Sequence, residues 1–376
     1  MNISKKIGYS SQLIEQDDID AVIETLKGDF LTQGPKVDEF ENAICEYVGI
    51  KGCVVFNSAT SALFATYKAS GIELDDEIIT TPISFVATSN MFVMLGAKPI
   101  WCDVKDDGNI DESKIEELIT DKTKAIVAVD FGGKPLEHTK IKNLAKKYNL
   151  LYIDDASHAL GSSIDGKRVG TFADMSIFSF HAIKPITTGE GGAVVSDDEE
   201  FIERLKLIRS HGVVKMDLWR SDMVKMGCNL RMNDISASLG ISQLKKLDGF
   251  IQQRDKIAKY YDDVFTNQNY FTTQKIEQNM LSSRHLYPIF LNEQLIPLKE
   301  KIFAQMHEAA LGVQVHYRPI YQNSFYVKNF GKYKLENAER FYNSEISIPC
   351  HQGMSLDDAI YVASKVLEIC KRLSSC

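Results

Sequence analysis

The sequence predicts an α/β fold, in which a large, mixed and mostly parallel sheet carries helices on both faces and a smaller C-terminal α+β domain follows. Over the first two-thirds of the chain, apolar runs with β-branched residues alternate with segments of helical periodicity, the βαβ pattern of a parallel sheet. After about Asp234 this alternation ends, and two long helical patterns follow each other. We therefore predict a larger domain at residues 1–245 and a smaller one at residues 246–376.

Each predicted element follows from a local pattern of apolar residues. The strands of the larger domain are Cys53–Phe56, Glu77–Thr81, Pro99–Asp103, Ala125–Phe131, Leu151–Asp154, Met175–Phe180 and Gly192–Ser196. The helices between them are Ser58–Ser70, Phe85–Leu95, Glu112–Thr120 and Leu136–Tyr148. The smaller domain should contain strands at His285–Phe290 and Val313–His316, and helices near Leu298–Ala310 and Leu356–Arg372. Because ligands of such sheets bind outside the carboxyl ends of the strands, the residues after each strand are the ones to inspect.

The composition is that of a soluble globular protein, with 44 % hydrophobic and 25 % charged residues. A net charge of −8 argues against a nucleic-acid-binding surface, which needs an excess of Lys and Arg. No apolar run approaches the roughly 18 residues of a membrane span, and the first residues lack the apolar core of a signal peptide. We expect a protein that binds neither nucleic acid nor membrane.

The cysteines and histidines show no pattern of a metal or disulfide site. Seven cysteines are present, and no two form a C-x-x-C pair, which argues against a disulfide framework and a structural zinc site. Reduced cysteines in a cytoplasmic protein are the expectation. The eight histidines show no H-E-x-x-H spacing, so no metal is expected.

Two common cofactor fingerprints are missing. No G-x-G-x-x-G follows the first strand, and no G-x-x-x-x-G-K-[ST] occurs in the chain. The glycines of GEGGAVV precede a strand instead of opening a helix. The dinucleotide-binding and P-loop interpretations therefore lose their main support.

A possible phosphate site follows the first predicted strand. Asn57, Ser58 and Thr60 are small polar residues at a strand-to-helix turn, where free N–H groups and the helix dipole favour an anion. The alternative is an ordinary helix cap by Asn57 or Ser58. Taken alone, the turn favours the cap.

A carboxylate pair follows a later strand in the segment LLYIDDASHALGS. Asp154 and Asp155 are adjacent, so their side chains point to opposite faces of the sheet and one of them is expected to reach the site. His158 lies close behind them. The alternative is a solvated aspartate pair beside a packed histidine.

A single lysine, Lys184, lies in the apolar segment FSFHAIKPITTGEGGAVV. Burial lowers the pKa of a lysine and makes a neutral, nucleophilic amine available. One such lysine is weak evidence, but a phosphate turn, a carboxylate and a desolvated lysine together are what pyridoxal 5′-phosphate (PLP) requires. The lysine would form a Schiff base, and the carboxylate would keep the pyridine nitrogen protonated.

A wider set of motifs extends this interpretation over nearly the whole chain. They are LTQGP (31–35), NSATSAL (57–63), TPISFVATSN (81–90), DDASHALG (154–161), FSFHAIKPITTGEGGAVV (178–195), RSHG (209–212), GCNLRMNDISASLG (227–240) and VQVHYRPIY (313–321). With them, the chain resembles the DegT/DnrJ/EryC1/StrS family of PLP-dependent sugar aminotransferases. The resemblance implies an aspartate aminotransferase-like fold of type I. Members that carry histidine in place of the lysine perform dehydration, so Lys184 favours transamination.

The resemblance also implies the role of each cofactor-binding residue. Lys184 is the catalytic Schiff-base lysine, and Asp155, not Asp154, faces the pyridine nitrogen. Phe85 stacks on the ring, although by its sequence alone it would more readily be a core residue. The remaining cofactor contacts are His158 near the phenolic oxygen, Ala59, Thr60 and Ser179 at the phosphate, and Asn229 from the partner subunit of a homodimer with shared sites.

The sugar side of the site and the reaction are implied in the same way. The substrate-binding residues are Tyr9, Asp29, Phe30, Leu31, Thr32, Arg231, Gln314, Val315, His316 and Tyr317, although Arg231 alone could be a surface residue. The segments FHAIKPITT, QVHYRPIYQ and GYSS are similar to members that transfer an amino group from L-glutamate to C4 of a UDP-linked 4-keto-6-deoxy-N-acetylhexose in pseudaminic acid biosynthesis. The alternatives are another nucleotide-sugar 4- or 3-aminotransferase or a dehydratase of the same family, and a non-catalytic PLP-binding regulator.

Overall fold

The computed structural model describes residues 6–375, so the first five residues of the predicted larger domain and Cys376 lie outside the described residues. The strands are β1 Ile7–Gly8, β2 Gly52–Phe56, β3 Glu77–Thr80, β4 Lys98–Trp101, β5 Thr123–Val129, β6 Leu151–Asp155, β7 Ser163–Ile164, β8 Lys167–Arg168, β9 Met175–Ser179, β10 Gly192–Ser196, β11 Val213–Lys215, β12 Ser221–Met223, β13 Phe271–Thr273, β14 Met280–Leu281, β15 Tyr287–Leu291, β16 Leu311–Gly312 and β17 Glu345–Ile348. The helices are α1 Gln16–Lys27, α2 Pro35–Val48, α3 Ala59–Ala69, α4 Ala87–Met94, α5 His138–Tyr148, α6 Glu199–Arg209, α7 Asp234–Leu244, α8 Leu247–Phe265, α9 Lys299–Glu308, α10 Ser324–Phe330, α11 Glu336–Ser344 and α12 Leu356–Ser374.

A seven-stranded sheet forms the centre of the molecule, in the order β2-β10-β9-β6-β5-β3-β4. Only β10 runs antiparallel to its neighbours; the pairs β3–β4, β3–β5, β5–β6 and β6–β9 are parallel. The predicted mixed, mostly parallel sheet is confirmed. Because β2 and β9 both oppose β10, β2 is parallel to the other strands, and the carboxyl ends of β2, β3, β5, β6 and β9 lie along one edge.

Helices cover both faces of this sheet, as the uninterrupted apolar strands require. Along β2, Val54 and Phe56 pack in the cluster that contains α3, whereas Cys53 and Val55 pack in the cluster that contains α2. This alternation is the normal consequence of the two-residue strand period. It fixes the position of the turn that joins β2 to α3.

A second core lies around the three-stranded antiparallel sheet β13-β15-β17, with α8, α9 and α12 packed against it. Helix α8 belongs to both cores. Its first turns place Leu247 and Ile251 in the cluster beneath the large sheet, and its later turns place Ile257 and Tyr261 in the second core. The domain boundary at residues 245 and 246 stays a prediction, because α8 contributes to the packing on both sides of it.

Two predicted elements are wrong. Residues 112–120 form no α-helix but two short 3-10 turns, Glu112–Lys114 and Glu116–Leu118, and the side chain of Asp111 caps the first of them by accepting from Ser113 N. Residues 313–316 form no strand; only Gln314 pairs with Ser347 as an isolated bridge. The backbone N–H of His316 instead donates to a glutamate side chain, Glu345 Oε2, at 2.7 Å.

The sequence interpretation also missed the amphipathic helices α1, α2 and α6 of the larger domain and the shorter helices α10 and α11. The other predicted strands and helices of the larger domain are present with ends shifted by one or a few residues. Among residues 6–375, no helix has both the length and the apolar character to cross a membrane.

Candidate active site

The edge formed by the carboxyl ends of the parallel strands brings the sequence-predicted catalytic residues together. Asp155 ends β6, Ser179 ends β9, and the turn before α3 follows β2. Lys184 lies in the loop after β9, where its backbone N–H donates to the carbonyl of His181 at 2.9 Å. This is the position at which open α/β sheets bind ligands.

The amine of Lys184 is buried, with only 9 % of the residue exposed. The pKa of Lys184 is lowered to about 7, chiefly by desolvation; the negative charge of Asp155 opposes this shift, and the positive charge of Arg254 adds to it. Lys184 Nζ lies 3.5 Å from His285 Nε2. A large fraction of this amine is therefore neutral at neutral pH, as a nucleophile or base requires.

Asp155 is held by two hydroxyl donors. Thr88 Oγ1 donates to Asp155 Oδ2 at 2.6 Å, and Ser157 Oγ donates to Asp155 Oδ1 at 2.5 Å. Ser84 Oγ lies 2.7 Å from Thr88 Oγ1 and donates to it, because the single Thr88 proton is used by the carboxylate. Each oxygen of the Asp155 carboxylate is therefore held by one hydroxyl group.

Asp154 points to the other face, as the strand period predicts. Its carboxyl group is fully buried beside Asp130, and burial together with that like charge raises its pKa well above the usual range. Ligand atoms of Asp130, His138 and Asp154 lie within 4.8 Å of one another, a grouping that no sequence spacing revealed. His138 Nε2 lies 3.1 Å from Asp130 Oδ1, and its Nδ1 lies 2.7 Å from Tyr152 Oη. The raised pKa of Asp154 favours its protonated form beside Asp130. The expectation that the protein binds no metal stays a prediction.

His158 is buried and its tautomer follows from its partners. Gly132 N donates to His158 Nδ1 at 3.3 Å, so the proton resides on Nε2, which lies 3.3 Å from Tyr317 Oη. Burial and the charge of Lys184 lower the pKa of His158 well below the usual range. The ring is therefore a neutral hydrogen-bonding group at the edge of the site.

The turn before α3 has the features of an anion site. Ser58 is the helix cap, with its Oγ accepting from Ser61 N at 3.1 Å, so the predicted capping role is real. Within the described chain, the N–H groups of Ala59 and Thr60 have no acceptor, and they remain free for a phosphate. A Cβ on Gly192 would lie 2.5 Å from Ala59 N, which explains why GEGGAVV needs a glycine here.

The cofactor contacts predicted beyond this turn are also near the strand edge. Ser179 is buried at the end of β9, with its Oγ 3.5 Å from His181 N. Phe85 is 59 % exposed, and its ring lies 6.4 Å from that of Tyr317. Phe85 is thus not a core residue, and it presents a face on which a planar ring can stack.

The sugar-side residues of the segment 314–317 divide into two groups. His316 and Tyr317 lie with the catalytic residues: the Tyr9 ring is 5.2 Å from that of His316, and burial with the charge of Lys184 lowers the pKa of His316 to about 3. Gln314 is exposed, and Val315 lines a separate surface cavity with Lys299. Nothing in the placement of these two residues supports a sugar contact, so their role stays a prediction.

The remaining predicted contacts lie on segments beside α7. Asp29, Phe30, Leu31 and Thr32 are exposed, and Leu31 O accepts from Asp234 N at 3.0 Å. Asn229 is exposed, and the next residue, Leu230, accepts from Asn57 N at 2.9 Å. Arg231 pairs with Phe56 as an isolated bridge, and its buried Nε has no acceptor among residues 6–375. Their roles toward substrate or a partner subunit stay predictions.

Sequence reasoning missed three residues of the site. Thr88 was inside a quoted motif, but its contact with Asp155 spans 67 positions. His285 and Arg254 have no local signal, because they reach the site from the second core. Only the tertiary structure brings them to Lys184.

Comparison with known proteins gives the family of the chain. The model of the DegT/DnrJ/EryC1/StrS aminotransferase family matches residues 12–367. The chain belongs to this family. The resemblance stated from the motifs is confirmed, and with it the prediction of an aminotransferase at the level of the family.

Individual relatives are similar over almost their full length. The chain is 52 % identical over 370 residues, 98 % of each chain, to the UDP-4-amino-4,6-dideoxy-N-acetyl-β-L-altrosamine transaminase of Campylobacter jejuni. Its fold matches that of Helicobacter pylori PseC, an aminotransferase involved in the biosynthesis of pseudoaminic acid, with a TM-score of 0.96, 45 % identity and coverage of 98 % of this chain and 100 % of PseC. The sugar aminotransferase Spr1654 of Streptococcus pneumoniae in its PMP form gives a TM-score of 0.93 at 28 % identity, covering 98 % and 99 % of the two chains. The aminotransferase-like fold is confirmed.

Proposed function

We propose that this protein is a PLP-dependent aminotransferase that moves an amino group from L-glutamate to C4 of a UDP-linked 4-keto-6-deoxy-N-acetylhexose, UDP-2-acetamido-2,6-dideoxy-β-L-arabino-hexos-4-ulose, in pseudaminic acid biosynthesis. The observation that carries the chemistry is the buried amine of Lys184 at the same sheet edge as Asp155. The substrate rests on the transaminase of Campylobacter jejuni, 52 % identical to this chain.

The residues of the site fit PLP. The free N–H groups of Ala59 and Thr60 suit its phosphate, the carboxylate of Asp155 suits its ring nitrogen, and the open face of Phe85 suits its ring. When bound, PLP acts as an electron sink that makes the α-proton of an amino acid removable. Spr1654, a solved relative, exists in PLP and PMP forms.

Lys184 is the group that moves the proton. As a neutral amine it removes the proton from the donor's α-carbon, and as an ammonium it returns a proton to the sugar carbon in the second half-reaction. A pKa of about 7 serves both directions, because neither form is rare at neutral pH. Asp155, fixed by Thr88 and Ser157, provides the negative charge that stabilises a protonated ring nitrogen.

The diphosphate of the substrate must bind to a chain of net charge −8. Arg231, whose buried Nε has no acceptor in the described chain, provides a local positive charge against that background. His316 and Tyr317 line the side of the site next to Tyr9, where the sugar would lie. The neutral state of His316 leaves it able to accept a hydrogen bond from a sugar hydroxyl.

The test is a two-step assay with product analysis. The purified protein should be yellow and should lose its colour with L-glutamate, and the UDP-4-keto sugar should restore it. Lys184→Ala should lose multiple-turnover activity; retained turnover would refute the role of Lys184. NMR of the product should show nitrogen at C4. Nitrogen at C3, a dehydrated sugar, or no turnover at all would instead support the 3-aminotransferase, dehydratase or regulator alternative.

The assembly is part of the proposal: a homodimer with shared sites, in the cytoplasm. The exposed Asn229 and the exposed segment 29–32 support it, because both are available to a second subunit. Mixing inactive Lys184→Ala with inactive Asn229→Ala subunits should restore some activity, since one of the mixed sites has both residues intact. No recovery after verified subunit exchange would contradict shared sites.

A further inference from the structure

Arg254 is a fully buried cation on α8 that the proposed reaction has not used. No carboxylate forms an ion pair with it in the part of the chain that the structure describes, and burial lowers its pKa to about 10. Its acceptors are all neutral oxygens: Gln352 Oε1 at 2.8 Å, Cys350 O at 3.0 Å, Arg284 O at 3.1 Å, His285 O at 3.4 Å and Ser10 Oγ at 3.5 Å. A buried unpaired charge destabilises a fold, so its presence calls for a reason.

Two of these partners lead to the neighbours of Lys184. Ser10 Oγ donates to the carbonyl of Ile183 at 2.8 Å. Gln352 Nε2 donates to the carbonyl of Pro185 at 3.5 Å. Arg254 is therefore linked through Ser10 to the residue before Lys184 and through Gln352 to the residue after it.

A third partner is His285, whose side chain contacts the catalytic amine directly. His285 is 1 % exposed, its Nε2 lies 3.5 Å from Lys184 Nζ, and its ring lies 4.4 Å from that of His158. Burial and the neighbouring positive charges lower the pKa of His285 well below the usual range, so the ring is neutral. A neutral ring offers a lone pair to an amine. His285 Nδ1 is buried and has no partner among residues 6–375.

We propose that Arg254 and His285 are positioning residues for Lys184. Arg254 holds the backbone of His285 and the loop around Lys184 in place. His285 Nε2 accepts a hydrogen bond from the lysine amine whenever that amine is not bonded to the cofactor. This deepens the proposed function, because the amine must be free and aimed correctly in both half-reactions. It involves no bond change in either positioning residue.

The charge of Arg254 has a second effect on Lys184. The titratable groups facing Lys184 are Asp155, which favours the ammonium, Arg254, which disfavours it, and the neutral histidines at 158, 285 and 316. With Asp155 acting in the opposite direction, a buried like charge helps keep the amine neutral near pH 7. This effect on Lys184 offers a reason why Arg254 is buried without a counter-ion.

The test measures the protonation of Lys184 in the full chain without cofactor. Trace labelling with isotopic acetic anhydride modifies only neutral amines, and mass spectrometry of peptides gives a labelling midpoint for each lysine. Arg254→Met should raise the midpoint of Lys184 by about one pH unit, since removing a like charge stabilises the ammonium. Arg254→Lys keeps the charge and should shift it by less than half as much.

The second arm tests the contact with His285. His285→Phe keeps a planar ring but removes the acceptor, so it should lower the Lys184 midpoint and slow the glutamate half-reaction by about tenfold or more at unchanged glutamate KM. His285→Gln, which keeps a polar group that can accept, should recover most of the rate. The control His307→Phe makes the same change on α9 and should alter neither quantity.

Internal controls distinguish a specific effect on Lys184 from general unfolding and from a failure of the proposed reaction. Lys299, whose pKa burial lowers to about 8 far along the chain in α9, is read in the same digest and should keep its midpoint in every variant. A Lys184 midpoint that stays within about 0.3 unit in Arg254→Met, or an unchanged half-reaction in His285→Phe, overturns the proposal. The labelling needs no sugar, so a failed C4 transfer would leave its outcome standing.

Discussion

The hydroxyl of Thr88 offers a sharp test of how the site holds Asp155. Thr88→Val removes one oxygen and keeps the shape of the side chain, at a residue that is 1 % exposed. The change breaks the 2.6 Å bond to Asp155 Oδ2 and also leaves the Ser84 hydroxyl without its acceptor. Asp155, only 4 % exposed, then keeps Ser157 as its remaining hydroxyl donor.

The size of the effect follows from the type of bond. A buried hydrogen bond to a charged group contributes about 1.5–3 kcal/mol to the free energy of unfolding. The unfolding entropy is roughly 2.1 cal/mol/K per residue, or about 0.8 kcal/mol/K for a chain of this length. Thr88→Val should therefore lower the Tm by about 2–4 °C.

The assay is thermal unfolding by circular dichroism without cofactor, at one protein concentration. Thr66→Val is the matched control, because Thr66 is also fully buried and its Oγ1 has no partner within residues 6–375. It should leave the Tm unchanged or raise it slightly. Thr88→Ser, which keeps the hydroxyl, should recover part of the loss. Equal shifts for Thr88→Val and Thr66→Val would refute the idea that the hydroxyl stabilises the Asp155 carboxylate.

Two further predictions concern the phosphate turn and the buried histidines. Gly192→Ala should weaken PLP binding by about tenfold or more, because the added Cβ would lie 2.5 Å from Ala59 N; titration of the apoprotein with PLP measures this. The control Gly249→Ala, with nothing within 4 Å of the added carbon, should bind PLP normally. Equal PLP affinities of the two variants would contradict the close approach of Gly192 to the turn. Because the folded pKa of His158, His285 and His316 is depressed, their neutral forms stabilise the fold fully above about pH 6.5. That stability should be lost as the pH falls, by up to about 1.4 kcal/mol per pH unit for each histidine. The Tm should therefore drop between pH 7 and 5, and His316→Phe should make the drop shallower; an unchanged slope would contradict a neutral His316.

Much of the fold and the chemistry could be predicted from local sequence. The period of apolar residues gave the central strands, because burial on both faces demands continuous apolar runs. Lys184, Asp155 and the Ser58 turn could be recognised because each lies at or shortly after the carboxyl end of a strand, and parallel strands bring such residues to one edge. Local patterning failed at residues 112–120, which form two 3-10 turns, and at residues 313–316, where the side chain of Glu345 accepts from the backbone N–H of His316 in place of a strand partner.

The sequence by itself therefore determined the family, the α/β architecture and the lysine and aspartate at the sheet edge. The tertiary structure decided which groups contact this lysine and this aspartate, and it decided the pKa of the lysine. His285 contacts Lys184 across 101 positions, and Thr88 reaches Asp155 across 67. Such contacts produce no recognisable spacing in the sequence, because they depend on how α4, α8 and the second core pack against the large sheet. The state of Lys184 depends on burial and on Arg254, which only the packed chain provides.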